Sequence, residues 1–338
     1  MKSTSLILLS ACTVSLLIGS AVLYNVSRHE TQHLVPKHKV DRKVPPTKSN
    51  SQTGNRRVPM SKEWNLKYPS VNVTNFPQID DLSEEECQSM IDDVVVAPAY
   101  SMPLTALASF PRSGNSWTRS LIQVATRYST GSIYWFREKK EERVQKWFKA
   151  GTEDFNLRKG VCVKSHLFAA DHISMFKGGA ILLIRNPHYS VVSEYFRFFA
   201  GVKNFTQSEL KTSMEKSNEH WTNVLLPQFR RWKNLNINWL MNCKRLLVVF
   251  FEELEKNPAH EITRMVTFLG QPILPRRIMC AVRNFQPMEK HRSQMTFDPY
   301  TPEMHDLLNS YIEQVNITLI LKGGKPLPSY ENYVKPSV

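Results

Sequence analysis

The sequence predicts an α/β domain, a parallel sheet covered by helices on both faces, carried behind an apolar N-terminal segment. Three observations predict it. Apolar strands recur near residues 104–110, 160–165, 179–185 and 245–250, each followed by a helical stretch, and strand alternating with helix is the pattern of a parallel sheet. The first strand runs directly into a turn and a helix, Phe110-Pro111-Arg112-Ser113-Gly114-Asn115-Ser116-Trp117, which is the layout of a phosphate cradle. The uncharged run from Ser3 to Ser27 is long enough to cross a hydrocarbon core of about 30 Å.

In chain order, residues 1–4 read as a cytosolic tail and 5–26 as a signal-anchor helix. Gly19-Ser20-Ala21 also offers the small residues of a cleavage site, but the apolar run is long for a removable leader. Both readings send the rest of the chain into the secretory pathway. Lys2 and the amino terminus are balanced by Arg28, Lys37 and Lys39, so the positive-inside rule is nearly silent on orientation. Sequons at Asn72, Asn204 and Asn316, with four cysteines outside the apolar run, favour the lumen.

Residues 27–99 are polar and broken by prolines, and read as a flexible stem. Within it, Asp80 to Asp93 predicts a short helix lying against the domain, with Ser83 as its cap and Glu86 completing a capping box. The domain proper spans 100–338. Its prolines 187 and 258 suit first helical turns, and Thr301-Pro302-Glu303 caps a final helix through about Asn316. Cys87, Cys162, Cys243 and Cys280 lack metal-ligand spacing. Cys162, inside a predicted strand, reads as a free core thiol. Cys243 with Cys280 is one candidate pair, within the three pairings that four cysteines allow.

The net charge of +14 is spread along the chain, which suits a solvated basic face or a funnel for a polyanionic ligand. Nucleic acid is not the expected partner, since no known binding motif appears and a membrane-anchored luminal protein rarely meets it. The candidate site residues fall where ligands of such sheets bind, at the carboxyl ends of the strands. At the first, the turn's N–H groups and the helix dipole converge on an anion position, Gly114 lets the backbone close in, and Arg112 adds a planar donor fork. No Gly-Lys-Ser/Thr follows, which argues against an ordinary ATP or GTP hydrolase. At the second, Lys164 and His166 stand two residues apart, so alternation puts both side chains on one side. At the third, Arg185 leads into a helix carrying Ser190, Ser193 and Arg197 on one face, a second anion site. Singly, each has an ordinary reading: Lys164 paired with a carboxylate, His166 a loop residue, the serines caps. Together, at three successive strand ends, they point to chemistry. Glu138, Glu141 and Glu142 read as a solvated charged face, with a reserve role as bases.

These motifs resemble the sulfotransferases that use 3′-phosphoadenosine 5′-phosphosulfate (PAPS), over about residues 103 to 316. The resemblance implies a P-loop-like sulfotransferase fold. It assigns Arg112, Ser113, Gly114, Asn115, Ser116 and Trp117 to the 5′-phosphosulfate, and Arg185 with Ser193 to the 3′-phosphate. Lys164-Ser165-His166-Leu167 is similar to the segment whose histidine is the catalytic base, and Phe250-Phe251-Glu252-Glu253-Leu254 to the family's strand and following helix. Arg292, in Lys290-His291-Arg292, loosely echoes a nucleotide-binding segment. The tail Phe297-Asp298-Pro299-Tyr300-Thr301-Pro302-Glu303 looks closest to the WSC-domain-containing branch implicated in sialate O-sulfation, although the stem lacks the cysteines a WSC domain needs.

The expectation is therefore a Golgi type II membrane enzyme, moving sulfate from PAPS to a hydroxyl of a glycan acceptor, sialylated chains among them. Sulfuryl transfer is positioning plus charge neutralisation, roles open to Arg112 and Lys164, with His166 taking the acceptor proton and no metal required. A nucleotide-dependent kinase would need Mg²⁺ ligands and a Walker lysine. A non-catalytic glycan-binding protein would keep the fold without needing arginine, lysine, histidine and serine at the strand ends.

Overall fold

A computed structural model describes residues 71–199, 208, 218–286 and 298–330. The expected cytosolic tail, the anchor helix at 5–26, the stem before residue 71, the Asn204 sequon and Arg292 lie outside the described residues. Among the described residues, no helix is long and apolar enough to cross a membrane.

The chain passes through α1 (Glu84–Asp92), β1 (Thr105–Ser109), α2 (Asn115–Thr126), β2 (Gly131–Ser132), α3 (Trp135–Glu138), α4 (Glu142–Trp147) and β3 (Val163–Ser165). It continues with α5 (Ala170–Met175), β4 (Gly179–Ile184), α6 (Pro187–Phe199), α7 (Asn218–Asn242) and β5 (Leu246–Phe250). The last helices are α8 (Phe251–Lys256), α9 (Pro258–Phe268), α10 (Pro275–Asn284) and α11 (Pro302–Leu321). The five strands form one sheet in the order β2-β3-β1-β4-β5. Every pairing is parallel, with Ala106 opposite Val163, Leu107 opposite Ile181, and Leu182 opposite Val248.

The strands β1, β4 and β5 are buried along their whole length, as expected of a parallel sheet covered on both faces. Side chains alternate between two cores. Ala106, Ala108, Leu182, Ile184, Val248 and Phe250 pack against α7 and α11 through Trp232, Trp239, Leu308 and Leu319. Leu107, Ile181, Leu183, Leu247 and Val249 pack against α2, α9 and α10 through Leu121, Ile122, Met265 and Ile278. The indoles of α7 also serve the strand ends: Trp232 Nε1 donates to the Arg185 carbonyl at 3.1 Å and Trp239 Nε1 to that of Leu167 at 3.0 Å.

The proline and cap signals mark helix starts. Pro187 and Pro258 open α6 and α9, where a missing N–H costs nothing. Thr301 Oγ1 accepts from Met304 N at the start of α11, and that helix runs past Asn316 to Leu321. Asn316 therefore sits mid-helix, its Oδ1 accepting from Leu327 N at 2.9 Å. Ser83 Oγ caps α1 by accepting from Glu86 N at 3.0 Å. The Glu86 carboxylate turns back to the Ser83 backbone, as a capping box requires, and also pairs with Arg276 of α10.

Part of the segment assigned to the stem is built into the domain. The chain after α1 joins the domain: Val94 packs into the core, the next residue, Val95, bridges Tyr128 in parallel, and a disulfide links Cys87 in α1 to Cys280 in α10. Closing a loop across a sequence separation of 193 residues stabilises a fold by about 2–4 kcal/mol. The candidate pair Cys243–Cys280 does not form. Cys243 belongs to the core beneath α7 and Cys280 to the opposite side of the sheet. Cys162 and Cys243 are buried free thiols, and burial pushes them up to about 12 and about 11.

Candidate active site

The turn after β1 contains the sharpest backbone feature of the site. Arg112 is left-handed, at φ 61°, and so is Gly114, at φ 87°. For arginine this conformation costs on the order of 1–3 kcal/mol, a strain that persists only where the surroundings impose it. Arg185 is one restraint, its Nη1 donating to the Arg112 carbonyl at 2.6 Å. Asn115 is another: its Nδ2 donates to Leu107 O and Ser109 Oγ, both at 3.1 Å, tying the first turn of α2 to β1.

Gly114 is required on two counts. Its φ excludes ordinary side chains, and an added Cβ would lie 2.4 Å from Cε2 of Phe251. Phe251 opens α8 beyond β5, and its ring also carries the Arg185 guanidinium at 4.5 Å and the edge of Trp117 at 5.5 Å. Trp117 is fixed further by Nε1 donating to Phe285 O at 2.8 Å. The buried Ser113 Oγ has no hydrogen-bond partner among the described residues. Ser116 is exposed on the first turn of α2, where free N–H groups point outward. An open helix N-terminus, a close-packed glycine, an orphan hydroxyl and a half-restrained arginine fit an anion such as a phosphate or sulfate ester.

On the β4 side, Arg185 and Ser193 converge on the same turn. Arg112 Nε donates to Ser193 Oγ at 2.9 Å, so the two candidate anion positions are contiguous. Ser190 is buried one helical turn earlier, its Oγ without a hydrogen-bond partner among the described residues. Arg197 is engaged by the buried Glu194. Glu252 closes the base of this strand end, its Oε1 accepting from Asn186 N at 2.9 Å.

At β3 the pattern of burial turns Val163 and Ser165 inward and leaves Lys164 at the edge. Lys164 Nζ donates to Glu138 Oε1 at 3.0 Å. The expectation of a solvated Glu138 is corrected here: its side chain is 7% exposed, because α3 folds back over β2 and β3 and two cations receive it. Glu141 and Glu142 are exposed. Burial would raise the Glu138 carboxyl, but Arg119 and Lys164 outweigh it and hold it below the usual range. Burial lowers the Lys164 ammonium, with Glu138 opposing.

His166 follows on the same side; its ring stacks on Tyr134 at 5.8 Å, and Lys164 Nζ lies 5.7 Å from that same ring. His166 Nδ1 sits 2.8 Å from the carbonyl oxygen of Ser109. A carbonyl only accepts, so Nδ1 carries the proton and Nε2 keeps its lone pair. Burial, then the Lys164 charge, hold the imidazole well below its ordinary value, against the pull of the Ser109 carbonyl. The neutral ring is thus oriented with its lone pair on Nε2.

The structure brings Arg112, Ser113, Gly114, Lys164, His166, Arg185 and Ser193 to one sheet edge, while Asn115 and Trp117 act there through the packing of the turn. Sequence reasoning missed Ser109, Tyr134 and the working role of Phe251. Their contribution is a carbonyl, a ring face and a filled space, none of which leaves a spacing signal.

The fold and this edge define a sulfotransferase. Residues 104–310 match the sulfotransferase domain, and the chain belongs to that family. Among its relatives is WSCD family member CG9164 of Drosophila melanogaster, 29% identical over 249 residues, which are 72% of this chain and 75% of that protein. Sulfotransferase 2A6 of Mus musculus is 25% identical over 199 residues, 55% of this chain and 66% of that protein. Among solved structures, mouse sulfotransferase SULT7A1 complexed with PAP superposes with a TM-score of 0.42 at 17% identity, over 71% of this chain and 94% of that one.

Proposed function

We propose that this enzyme transfers the sulfuryl group of PAPS to a hydroxyl of an acidic glycan, from a Golgi membrane and on its luminal side. The observation that carries the reading is the His166 ring, proton on Nδ1 toward Ser109 O and lone pair on Nε2, beside Lys164 at the strand end next to the anion-binding turn. Arg112, Ser113, Gly114 and Ser116 would receive the phosphosulfate, with Asn115 and Trp117 fixing the turn. Arg185 and Ser193 would hold the 3′-phosphate. PAPS supplies the activated sulfur; the residues supply position and charge. Lys164 faces the negative charge that grows on the transferred and bridging oxygens, and His166 Nε2 takes the acceptor proton as the new S–O bond forms.

A cavity of about 290 Å³ supports an acidic acceptor. It is lined by Phe168, Leu226, Pro227, Arg230, Arg231 and Asn234, and Phe168 is two residues beyond His166. An aromatic and aliphatic floor with two guanidinium groups suits a sugar bearing a carboxylate, such as a sialylated chain. The luminal setting is supported by the Cys87–Cys280 disulfide, by the exposed Asn72 sequon, whose Oδ1 accepts from Thr74 Oγ1 at 2.7 Å, and by the apolar run at 5–26.

The nucleotide assignment is tested by Arg185→Ala. A charge-assisted contact is worth about 1.5–3 kcal/mol, so affinity for 3′-phosphoadenosine 5′-phosphate falls roughly 10- to 100-fold by titration calorimetry. Affinity for adenosine 5′-phosphate falls much less, by the share Arg185 contributes through the Arg112 carbonyl. Equal losses for the two nucleotides would remove the 3′-phosphate from Arg185.

A further inference from the structure

Glu138 has a place in this site that the family's transfer chemistry does not by itself require. It ends the short helix α3 and reaches back under the carboxyl edge of β3. Its Oε1 accepts from Lys164 Nζ at 3.0 Å and from Ser132 Oγ at 2.9 Å. Arg119 Nη1 lies 3.2 Å from Oε2 and 3.3 Å from Oε1. We propose that Glu138 is a positioning residue, a buried carboxylate shared by Arg119 and Lys164 that fixes the Lys164 ammonium at the site while leaving its charge uncancelled. The inference rests on the sulfotransferase reading of the site.

Three features carry it. First, the carboxylate is immobile. Arg119 is 1% exposed, stacks on Phe148 at 3.8 Å, and donates through Nε to Thr130 Oγ1 and through Nη2 to Thr130 O. Gly151 closes the remaining side: a Cβ there would lie 2.6 Å from Arg119 Nη2 and 2.8 Å from Glu138 Oε2. Second, the charges do not balance. A lysine paired with its own carboxylate is neutral as a unit and attracts an anion weakly. Here one carboxylate serves two cations, so the triad keeps one net positive charge, and only Lys164, whose side chain is 20% exposed, can present it. Third, Glu138 is unsuited to be the base. Its oxygens are occupied by donors, and two cations hold its carboxyl below the usual range.

The groups facing Lys164 come from four elements: Glu138 of α3, Arg119 of α2, His166 beyond its own strand and Arg197 of α6. Of these only Glu138 is anionic. Removing its charge therefore lowers the Lys164 ammonium further, and a rate that needs this ammonium is lost at lower pH.

The test is Glu138→Gln in the full-length protein, with initial sulfate-transfer rates measured from pH 5 to pH 10. The expected result is a kcat reduced about 10- to 100-fold, the scale set by loss of an outer-shell partner that orients a metal ligand, with KM for nucleotide and acceptor nearly unchanged. The alkaline limb of the kcat profile moves to lower pH. In a Lys164→Arg background, where the cation does not titrate, the same substitution moves no alkaline limb. Should Glu138→Gln not fold by thermal melting, Glu138→Asp keeps the charge and shortens the reach. It is then expected to lower kcat while the alkaline limb stays near its native position, and a wild-type kcat from it would overturn the proposal. An unshifted alkaline limb in a folded Glu138→Gln, or loss of the acid limb there, would also overturn it, the latter marking Glu138 as the base. An unmodified protein that transfers no sulfate would instead refute the functional reading.

Discussion

Replacing His166 with alanine is expected to lower kcat by about 10²- to 10⁴-fold, the contribution of a positioned general base, with nucleotide affinity nearly intact. The separation follows from geometry. His166 is held by Ser109 O and by the Tyr134 ring, whereas the turn proposed to receive the nucleotide is held by Arg185, Asn115 and Phe251. The pH dependence carries a sign. On the proposed mechanism the reaction needs the neutral imidazole, and burial with the nearby Lys164 charge places its protonation well below 6.5. The native rate should therefore hold as pH falls through 6.5 and decline only further into acid. In His166→Ala the residual rate loses this acid limb. A near-native rate for the variant would exclude the histidine from the chemistry.

Replacing Lys164 with methionine is expected to cost about 10²- to 10³-fold in kcat, as when one donor to a developing negative charge is lost. Methionine keeps much of the aliphatic length, so the loss reads charge rather than volume. Glu138 would retain Arg119 and Ser132, and the buried carboxylate would not be stranded. Stability should change little by comparison. A variant with native kcat and a raised KM for nucleotide would make Lys164 a binding residue only.

The strands were legible because burial on both faces leaves continuous apolar runs, such as Ile181 to Ile184 and Leu246 to Phe250. β2 was not, since Gly131 and Ser132 offer neither length nor periodicity. The turn after β1 could be read as an anion-site candidate from Arg112 and Gly114, two residues whose chemistry is local. Part of what forces Gly114 is not local: the Phe251 ring arrives from the end of β5. Glu138 was misread for the same reason. In sequence it belongs to a run of charges, and only the approach of Arg119 and Lys164 turns it inward. The disulfide likewise depended on which face of the sheet each cysteine occupies, a property of helix packing rather than of spacing.

The edge formed by Arg112, Lys164, His166 and Arg185 is proposed to move a sulfuryl group onto a sugar hydroxyl. The most direct measurement of that transfer is incubation of the full-length protein with sulfur-labelled PAPS and either a sialylated glycan or its desialylated counterpart. The account predicts label on the sialylated glycan as an O-sulfate ester, one 3′-phosphoadenosine 5′-phosphate released per ester formed, and loss of both in His166→Ala. Nucleotide that binds without any label reaching a hydroxyl, or label released as free sulfate regardless of acceptor, would contradict it.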